Sequence, residues 1–230
     1  MTKILIVEDE PQIREIEKDY LEVAGFETCE ADDGLQAIQV FQKEQPDLVL
    51  LDLNLPNLDG LSVCREIRKK SPVPIIMVTA RTKETDELVG LDVGADDYVK
   101  KPFSPRVLVA RVQSLLKRPH ASHPANQIIE AGPLKLDLTK YEAVLNGKSI
   151  DLTNVQFNML ARIAEQPGKV FSRQELLERT ENDDLPAIIF DRTIDSHIKN
   201  IRKKIEKDSR KPHFILTIRG AGYKFNEKAR

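Results

Sequence analysis

Cysteine and long apolar runs are scarce in this sequence, and each absence excludes a class of protein. The two cysteines, Cys29 and Cys64, are too few for a disulfide framework and lack the spacing of metal ligands, so we interpret both as small buried hydrophobic residues. No run approaches the roughly 20 apolar residues that a bilayer-spanning helix needs. The apolar run at Ile4–Val7 is too short for a secretory signal and turns acidic at once. We therefore expect a cytoplasmic protein without a membrane partner.

A strong charge of one sign is missing from the whole chain but not from its parts. The formal net charge is −2 at pH 7. Residues 1–127 hold 16 basic and 22 acidic side chains, a net of −6, whereas residues 128–230 hold 19 and 15, a net of +4. Residues 192–230 alone hold 12 basic and 4 acidic side chains. This asymmetry favours a nucleic-acid partner for the second half, although a solvated helix face can be equally basic.

The chain of 230 residues is long enough for two domains, and its first 118 residues have the pattern of an α/β domain. Apolar runs typical of strands alternate with segments of helical spacing, in which Ile13, Ile16, Tyr20 and Leu21 belong to the first helix. The predicted strands are Lys3–Val7, Phe26–Cys29, Asp47–Leu51, Ile75–Thr79 and Asp97–Lys100. Each interval leaves room for one crossover helix, which predicts a doubly wound, five-stranded parallel sheet over 1–118, a flavodoxin/CheY-like fold.

The pattern changes after residue 118. Residues 119–127 are rich in proline and small polar residues without periodicity, which predicts a linker. In 128–230, Asn146-Gly147 predicts a hairpin turn, and Thr153 with Gln156 forms the first of two capping boxes that precede helical patterns. A third helix from about Arg192 to Glu206 and a second hairpin around 220–222 follow. This order of elements predicts an α+β winged helix-turn-helix domain.

Polar side chains follow four of the predicted strands in the first domain. They are Glu8, Asp9, Asp52, Thr79 and Lys101. Ligands of an open parallel sheet bind beyond the carboxyl ends of its strands, so we expect these side chains to converge. Crowded carboxylates repel one another unless a cation joins them, and an oxygen-only site suits Mg²⁺. The alternative, that these residues merely cap the following helices, is reasonable for Asp9 alone but not for the whole set.

The first domain resembles the receiver domain of two-component response regulators. The motifs that carry the resemblance occur in the family's order: Val7-Glu8-Asp9-Glu10, Leu50-Leu51-Asp52-Leu53-Asn54-Leu55-Pro56, Asp59-Gly60, Thr79-Ala80 and Lys101-Pro102-Phe103. The resemblance implies that Asp52 accepts a phosphoryl group from a histidine kinase. It further implies Mg²⁺ ligands and phosphoryl-binding groups, with a cis peptide before Pro102. The implied ligands are Asp9 and Asp52 directly, the Asn54 carbonyl, and Glu8 through water; Thr79 and Lys101 would hold the phosphoryl oxygens.

The resemblance also implies a conformational switch and a dimer. Thr79 and Tyr98 lie on neighbouring predicted strands, so we expect the Tyr98 ring to rotate from solvent towards the core when the Thr79 hydroxyl is drawn to the phosphoryl group. The alternative is that Tyr98 is a static amphipathic residue at the edge of the sheet. Similar receivers form homodimers on phosphorylation through ion pairs around the fifth strand. The pairs implied here are Asp97–Arg111 and Asp96–Arg118; a third is lost, because its positions are Glu87 and Val107.

The third helix of the second domain has two unlike faces. The apolar face consists of Ile194, Ile198, Ile201 and Ile205. The opposite face consists of Ser196, Lys199, Asn200 and Lys203, with His197 on a flank. An exposed stripe of basic and amide side chains suits the major groove of DNA, whereas a plain solvated helix is the alternative.

The second domain resembles the winged-helix effectors of the OmpR/PhoB class. The resemblance rests on residues 192–205 and 217–225 and implies binding of direct repeats in double-stranded DNA, regulation of transcription and contact with RNA polymerase. Arg219 would lead the wing into the minor groove, while Thr193, Lys203 and Tyr223 would mostly contact phosphates. The implied DNA-binding residues are Arg192, Thr193, Ser196, His197, Lys199, Asn200, Lys203, Thr217, Arg219 and Tyr223. The loop at 182–187 has no tryptophan, where many relatives carry an aromatic residue.

Two other functions are compatible with parts of the pattern. A magnesium-dependent phosphatase of the haloacid-dehalogenase type also uses an aspartate nucleophile, but it has a second aspartate where this chain has Asn54. A pseudo-receiver would bind DNA without phosphorylation, and the intact set of Asp9, Asp52, Thr79 and Lys101 argues against it. We therefore predict a transcription regulator that is not an enzyme, apart from slow loss of its own phosphoryl group.

Overall fold

The computed structural model describes residues 1–80, 93–116, 128–176 and 187–229, with the side chains of 187–192 excepted. The chain divides into two compact units, Met1–Lys117 and Arg118–Arg230. The predicted linker at 119–127 and the loop at 182–186 lie outside the described residues. Within the described ranges, no helix is long and apolar enough to cross a membrane.

The first unit is built on a parallel five-stranded sheet, as predicted. Its strands β1 to β5 have the order β2-β1-β3-β4-β5 and span Lys3–Val7, Glu27–Ala31, Leu48–Asp52, Ile75–Thr79 and Asp97–Lys100. Every pairing is parallel. The described helices α1 to α4 span Pro11–Val23, Gly34–Glu44, Gly60–Arg68 and Pro105–Leu116. All five residues of β3 are buried, because helices cover both faces of the sheet.

Two apolar layers hold the helices to the sheet. On one face α2 and α3 contribute Ala37, Phe41, Val63 and Ile67, and on the other α1 and α4 contribute Leu21, Leu108 and Val112. Short polar caps set where the helices begin. The Asp33 carboxylate accepts the amide hydrogens of Leu35 and Gln36, and the Asp59 carboxylate accepts that of Ser62.

Helix α1 turns a different face to the core from the one that its apolar pattern predicts. Ile16 and Tyr20 are exposed, whereas Glu17 is 1 % exposed and lies one turn before the buried Leu21. Among the described residues, Glu17 Oε1 has no hydrogen-bond partner. Burial, and then the negative charge of Glu8, raise the pKa of the Glu17 carboxyl to about 8.

The second unit has the predicted winged-helix elements. Four antiparallel strands, β6 to β9, span Ile128–Ala131, Leu134–Asp137, Glu142–Leu145 and Lys148–Ile150. The helices α5 to α7 span Asn154–Glu165, Arg173–Leu176 and Ala187–Ile205, and the closing hairpin consists of β10 Ile215–Ile218 and β11 Gly222–Phe225. A 3₁₀ turn at Glu227–Ala229 ends the described chain. The third helix thus begins five residues before its predicted start at Arg192.

Local signals in the second unit predicted its turns and caps correctly. Asn146 and Gly147 have φ angles of 52° and 78° and join β8 to β9, as a hairpin with both central residues at positive φ requires. Thr153 and Gln156 form the predicted capping box at the start of α5.

Candidate functional site

The carboxyl ends of β1 and β3 bring three carboxylates together. Oxygen atoms of Glu8, Asp9 and Asp52 all lie within 4.8 Å of one another. Glu8 and Asp52 are buried, whereas Asp9 is exposed. The sequence predicted this convergence, and the parallel register of the strands explains it: Leu51, next to Asp52, pairs with Val7, next to Glu8.

Lys101 supplies the positive charge of this pocket. Its Nζ donates to Glu8 Oε2 at 2.6 Å and to Asp52 Oδ2 at 2.5 Å. Burial lowers the pKa of Lys101, but the hydrogen bonds to Asp52 and Glu8 outweigh it, so the pKa is raised and the ammonium persists. Burial raises the pKa of Glu8, and Lys101 opposes that shift. The peptide bond from Lys101 to Pro102 is cis, as the receiver resemblance implied.

The loop after β3 is held close to Asp52 by two glycines. A Cβ on Gly60 would lie 2.0 Å from the carbonyl oxygen of Asp52, and one on Gly34 would lie 1.9 Å from that of Leu58. Asp52 Oδ1 also accepts the amide hydrogen of Asn54 at 2.7 Å. Only glycine allows these backbone approaches. Gly60 was part of a predicted motif but Gly34 was not, although the Asp33-Gly34 dipeptide at the start of α2 could have signalled it.

Arg14 on α1 fixes the other side of the pocket, and the sequence reasoning missed it. Its Nη1 donates to the Glu8 carbonyl oxygen at 2.6 Å, and its Nε donates to Glu30 Oε2 at 3.1 Å. Lys18 also pairs with Glu30, at 2.8 Å. Strand β2 therefore orients the guanidinium that holds the end of β1.

Thr79 and Tyr98 lie on neighbouring strands, as predicted, but the Tyr98 ring differs from expectation. Thr79 ends β4 and is fully buried. The Tyr98 ring is 5 % exposed and packs in the apolar layer on the α2 and α3 side of the sheet. The expected solvent-facing ring is therefore not what the structure has, because β5 turns Tyr98 towards the same core as Met77, its partner in register.

Helix α7 carries the predicted apolar face but only part of the predicted exposed face. Ile194, Ile198, Ile201 and Ile205 are buried, and Lys199 and Lys203 are exposed, as predicted. The expectation of an exposed side chain was wrong for Ser196 and for Asn200, which is 7 % exposed. Thr193 and His197 are buried as well. The side chain of Arg192 lies outside the described residues.

One flank of α7 faces the start of α5, and this neighbour is relevant to the burial of Asn200 and His197. Lys204 lies four residues beyond Asn200 and seven beyond His197, so the three share a flank of the helix. Lys204 Nζ donates to the Asp151 carbonyl oxygen at 2.5 Å and to Gln156 Oε1 at 2.9 Å. A helical wheel cannot place such a neighbour, because α5 is remote in the sequence.

The hairpin of β10 and β11 is fastened to α7 by polar contacts. Arg202 Nη2 donates to the Ile215 carbonyl oxygen at 2.6 Å and to Thr217 Oγ1 at 2.8 Å. The guanidinium also lies 5.6 Å from the centre of the Tyr223 ring. Thr217 and Tyr223, both predicted to contact DNA, therefore serve the internal joint between helix and hairpin. Arg219, at the tip of the hairpin, is exposed.

Comparisons with known proteins agree with both halves of this geometry. Residues 4–113 match the response regulator receiver domain, and residues 147–225 match the family described as transcriptional regulatory protein, C terminal. The transcriptional regulatory protein BaeR of Escherichia coli is 44% identical over 227 residues, which cover 99% of this chain and 94% of BaeR. A crystal structure of DrrB, a Thermotoga maritima OmpR/PhoB homologue, is 35% identical and covers 98% of this chain and 99% of DrrB, with a TM-score of 0.53. The chain belongs to the OmpR/PhoB family of response regulators.

Other relatives extend the comparison. The DNA-binding response regulator MtrA of Mycolicibacterium smegmatis is 41% identical over 222 residues, which cover 96% of each chain. Both predicted resemblances are thus confirmed, and this OmpR/PhoB-family response regulator is a transcriptional regulator of the two-component type. Because the family consists of DNA-binding regulators, the phosphatase alternative is not supported.

The pocket of this response regulator suits a hard divalent cation. Glu8, Asp9 and Asp52 offer oxygen atoms only, and the Asn54 carbonyl follows Asp52 in the same loop. Lys101 forms ion pairs with two of these carboxylates, Glu8 and Asp52. A bound cation would compete with Lys101 for the same oxygens, since both neutralise the crowded negative charge.

Three of the residues predicted for the dimer interface, Asp96, Asp97 and Arg111, already form ion pairs within the chain. Asp97 Oδ2 accepts from Arg111 Nη1 at 2.5 Å. Asp96 Oδ2 accepts from Arg68 Nη2 at 2.6 Å and from the Ile75 amide at 3.0 Å. The predicted partner of Asp96, Arg118, lies outside the described residues, and so does Glu87. A dimer that uses Asp96 has to share this carboxylate with Arg68.

Proposed function

We propose that Asp52 of this response regulator takes a phosphoryl group from a histidine kinase. The observation that supports this proposal best is the position of Asp52, whose carboxylate lies among two further carboxylates and the Lys101 ammonium. An Asp52 oxygen attacks phosphorus, the phosphorus–nitrogen bond to the kinase histidine breaks, and the histidine leaves with the bonding electrons. Lys101 and Thr79 would then hold the phosphoryl oxygens.

Mg²⁺ is the cofactor that we propose for this step. Asp9 and Asp52 would bind it directly, the Asn54 carbonyl would supply a third oxygen, and Glu8 would act through water. When bound, the ion neutralises negative charge on the transferring phosphoryl oxygens. Arg14 would keep the end of β1 in place, because it holds the Glu8 carbonyl oxygen at 2.6 Å.

The phosphorylated protein would then dimerise and bind promoter DNA. Lys199, Lys203 and Arg219 are exposed on α7 and the hairpin tip, where they can meet the negatively charged duplex. Direct repeats would accommodate two copies, and RNA polymerase would be the partner in transcription. Since the DNA and the kinase domain that would meet this protein are cytoplasmic, we place it in the cytoplasm.

The test of the phosphoacceptor uses a small phosphodonor, Mg²⁺ and intact mass spectrometry. We expect the parent protein to gain the mass of one phosphoryl group and Asp52→Asn to gain none, because an amide cannot attack phosphorus. The matched control is Asp47→Asn, at the exposed residue just before the same strand. A normal phosphoryl gain in Asp52→Asn would refute the assignment. No gain in the parent protein would favour the pseudo-receiver alternative.

A further inference from the structure

We propose that Asp195 is a positioning residue that fixes the hairpin to the DNA-binding helix and withholds Arg173 from DNA phosphates. The inference rests on the proposed DNA-binding function of the second unit. It concerns an acidic residue that lies on α7 within the most basic part of the chain, residues 192–230.

One carboxylate joins three elements at this point. Asp195 Oδ1 accepts from Arg173 Nε on α6 at 2.7 Å, and Oδ2 accepts from Nη2 of the same guanidinium at 3.2 Å. Oδ1 also accepts from the Tyr223 hydroxyl on β11 at 2.7 Å. Such a two-point pair fixes the orientation of the guanidinium as well as its distance.

Several contacts hold the Tyr223 side chain in place at this joint. The ring is buried, and the Arg173 and Arg202 guanidinium groups lie 5.3 and 5.6 Å from its centre. Burial, and then the hydrogen bond to Asp195, raise the pKa of Tyr223 to about 12, so its hydroxyl remains a donor at physiological pH. The backbone of Tyr223 also pairs with Phe171, by two hydrogen bonds of 2.8 and 2.9 Å.

Asp195 affects DNA binding through its negative charge as well as through the contacts that it makes. The Asp195 side chain is 48% exposed and the Arg173 side chain 28%, and Asp195 lies one helical turn before the exposed Lys199 on α7. While paired, Arg173 is neutralised and contributes little attraction to phosphates of any sequence. Removing the carboxylate would take away the negative charge that offsets this guanidinium and would loosen the hairpin that carries Arg219. The variant should therefore be attracted more strongly to DNA of any sequence, and it should bind the selected site less tightly because its hairpin is held less firmly.

The experiment compares Asp195→Ala with the full-length parent on the best duplex from a binding-site selection and on random duplex, over a range of salt concentrations. We expect about tenfold weaker binding to the selected site, because the three hydrogen bonds that Asp195 accepts from Arg173 and Tyr223 are lost. Binding to random duplex should be unchanged or tighter, with a salt dependence steeper by about one unit of log K against log salt. Asp195→Asn, which keeps an acceptor for Tyr223, should recover most of the specific affinity but not the shallow salt dependence.

The control is Asp208→Asn, which removes one exposed negative charge from the same basic segment without touching the joint. Thermal denaturation followed by circular dichroism accompanies each variant. If binding to both duplexes weakens equally and thermal stability falls in parallel, Asp195 has only a structural role and the proposal is overturned. Loss of preference for a single C·G pair, with random binding unchanged, would overturn it too, because the carboxylate would then read a base. If the parent protein itself prefers no duplex over random DNA, the proposed function fails as well.

Discussion

Replacing Glu17 by glutamine should stabilise this response regulator, and the gain should depend on pH. Glu17 is buried on the inner face of α1, and its Oε1 has no hydrogen-bond partner among the described residues. An ionised carboxylate there loses its hydration and is repelled by Glu8 and Asp52, and the attraction of Lys101 does not offset these costs. The folded protein therefore holds Glu17 protonated, whereas the unfolded chain ionises it readily.

The size of the effect follows from the two pKa values. The folded value is about 8 and the ordinary value is 4.5. Below pH 4.5 the Glu17 carboxyl is protonated in both the folded and the unfolded protein, so its burial has no protonation cost. Between pH 4.5 and 8 only the folded protein keeps this proton, and the free energy of unfolding therefore falls as pH rises. The loss is about 1.4 kcal/mol per pH unit, which amounts to roughly 3 kcal/mol at pH 7. Above pH 8 the loss levels off.

The assay is urea unfolding of the full chain at a series of pH values from 5 to 8, for the parent protein, Glu17→Gln and the control Glu15→Gln. Glu15 lies on the same helix but is exposed. We expect the difference between Glu17→Gln and the parent to be small near pH 5 and to grow with pH, while the control stays level with the parent. A difference that does not change with pH, or a Glu17→Gln protein that is less stable at pH 7, would show that Glu17 is not buried and protonated.

Four further outcomes are expected. Gly60→Ala should destabilise the first unit in thermal melts, because its Cβ would lie 2.0 Å from the Asp52 carbonyl oxygen; unchanged stability would contradict the tight loop. Arg14→Met should weaken Mg²⁺ binding measured by calorimetry, and an unaltered affinity would show that Arg14 does not position the pocket. Asn200 is buried in the free protein and reads a base only where DNA binding exposes it; Asn200→Ala should then cost about 1–3 kcal/mol on the best site and almost nothing on random DNA, while Lys203→Ala weakens both. A selection with Asn200→Ala that returns the parent motif would show that Asn200 reads no base. Sedimentation should find mostly monomer without phosphodonor, because Asp96 and Asp97 are buried and already paired within the chain, which leaves little ionic attraction for a second copy; a tight dimer there would contradict this.

Several features of this protein were determined by its sequence alone, because they depend on neighbours along the chain or on a regular period. Parallel strands end at one edge of a sheet, so the order of the motifs was sufficient to bring Glu8, Asp9, Asp52 and Lys101 together. Turn and capping signals act over two to four residues, and the hairpin at Asn146 formed where they predicted it.

Other features were decided only by the tertiary structure, because they depend on which remote element lies opposite a side chain. The apolar pattern of α1 favoured a face with Ile16 and Tyr20 inside, yet packing on the sheet and α4 turned Glu17 inwards. Asp195 and Tyr223 lie 28 residues apart, and their hydrogen bond exists because the hairpin folds back on α7. Periodicity shows which residues share a face of a helix. The elements that cover that face come from segments far away in the sequence, so no local pattern reveals them.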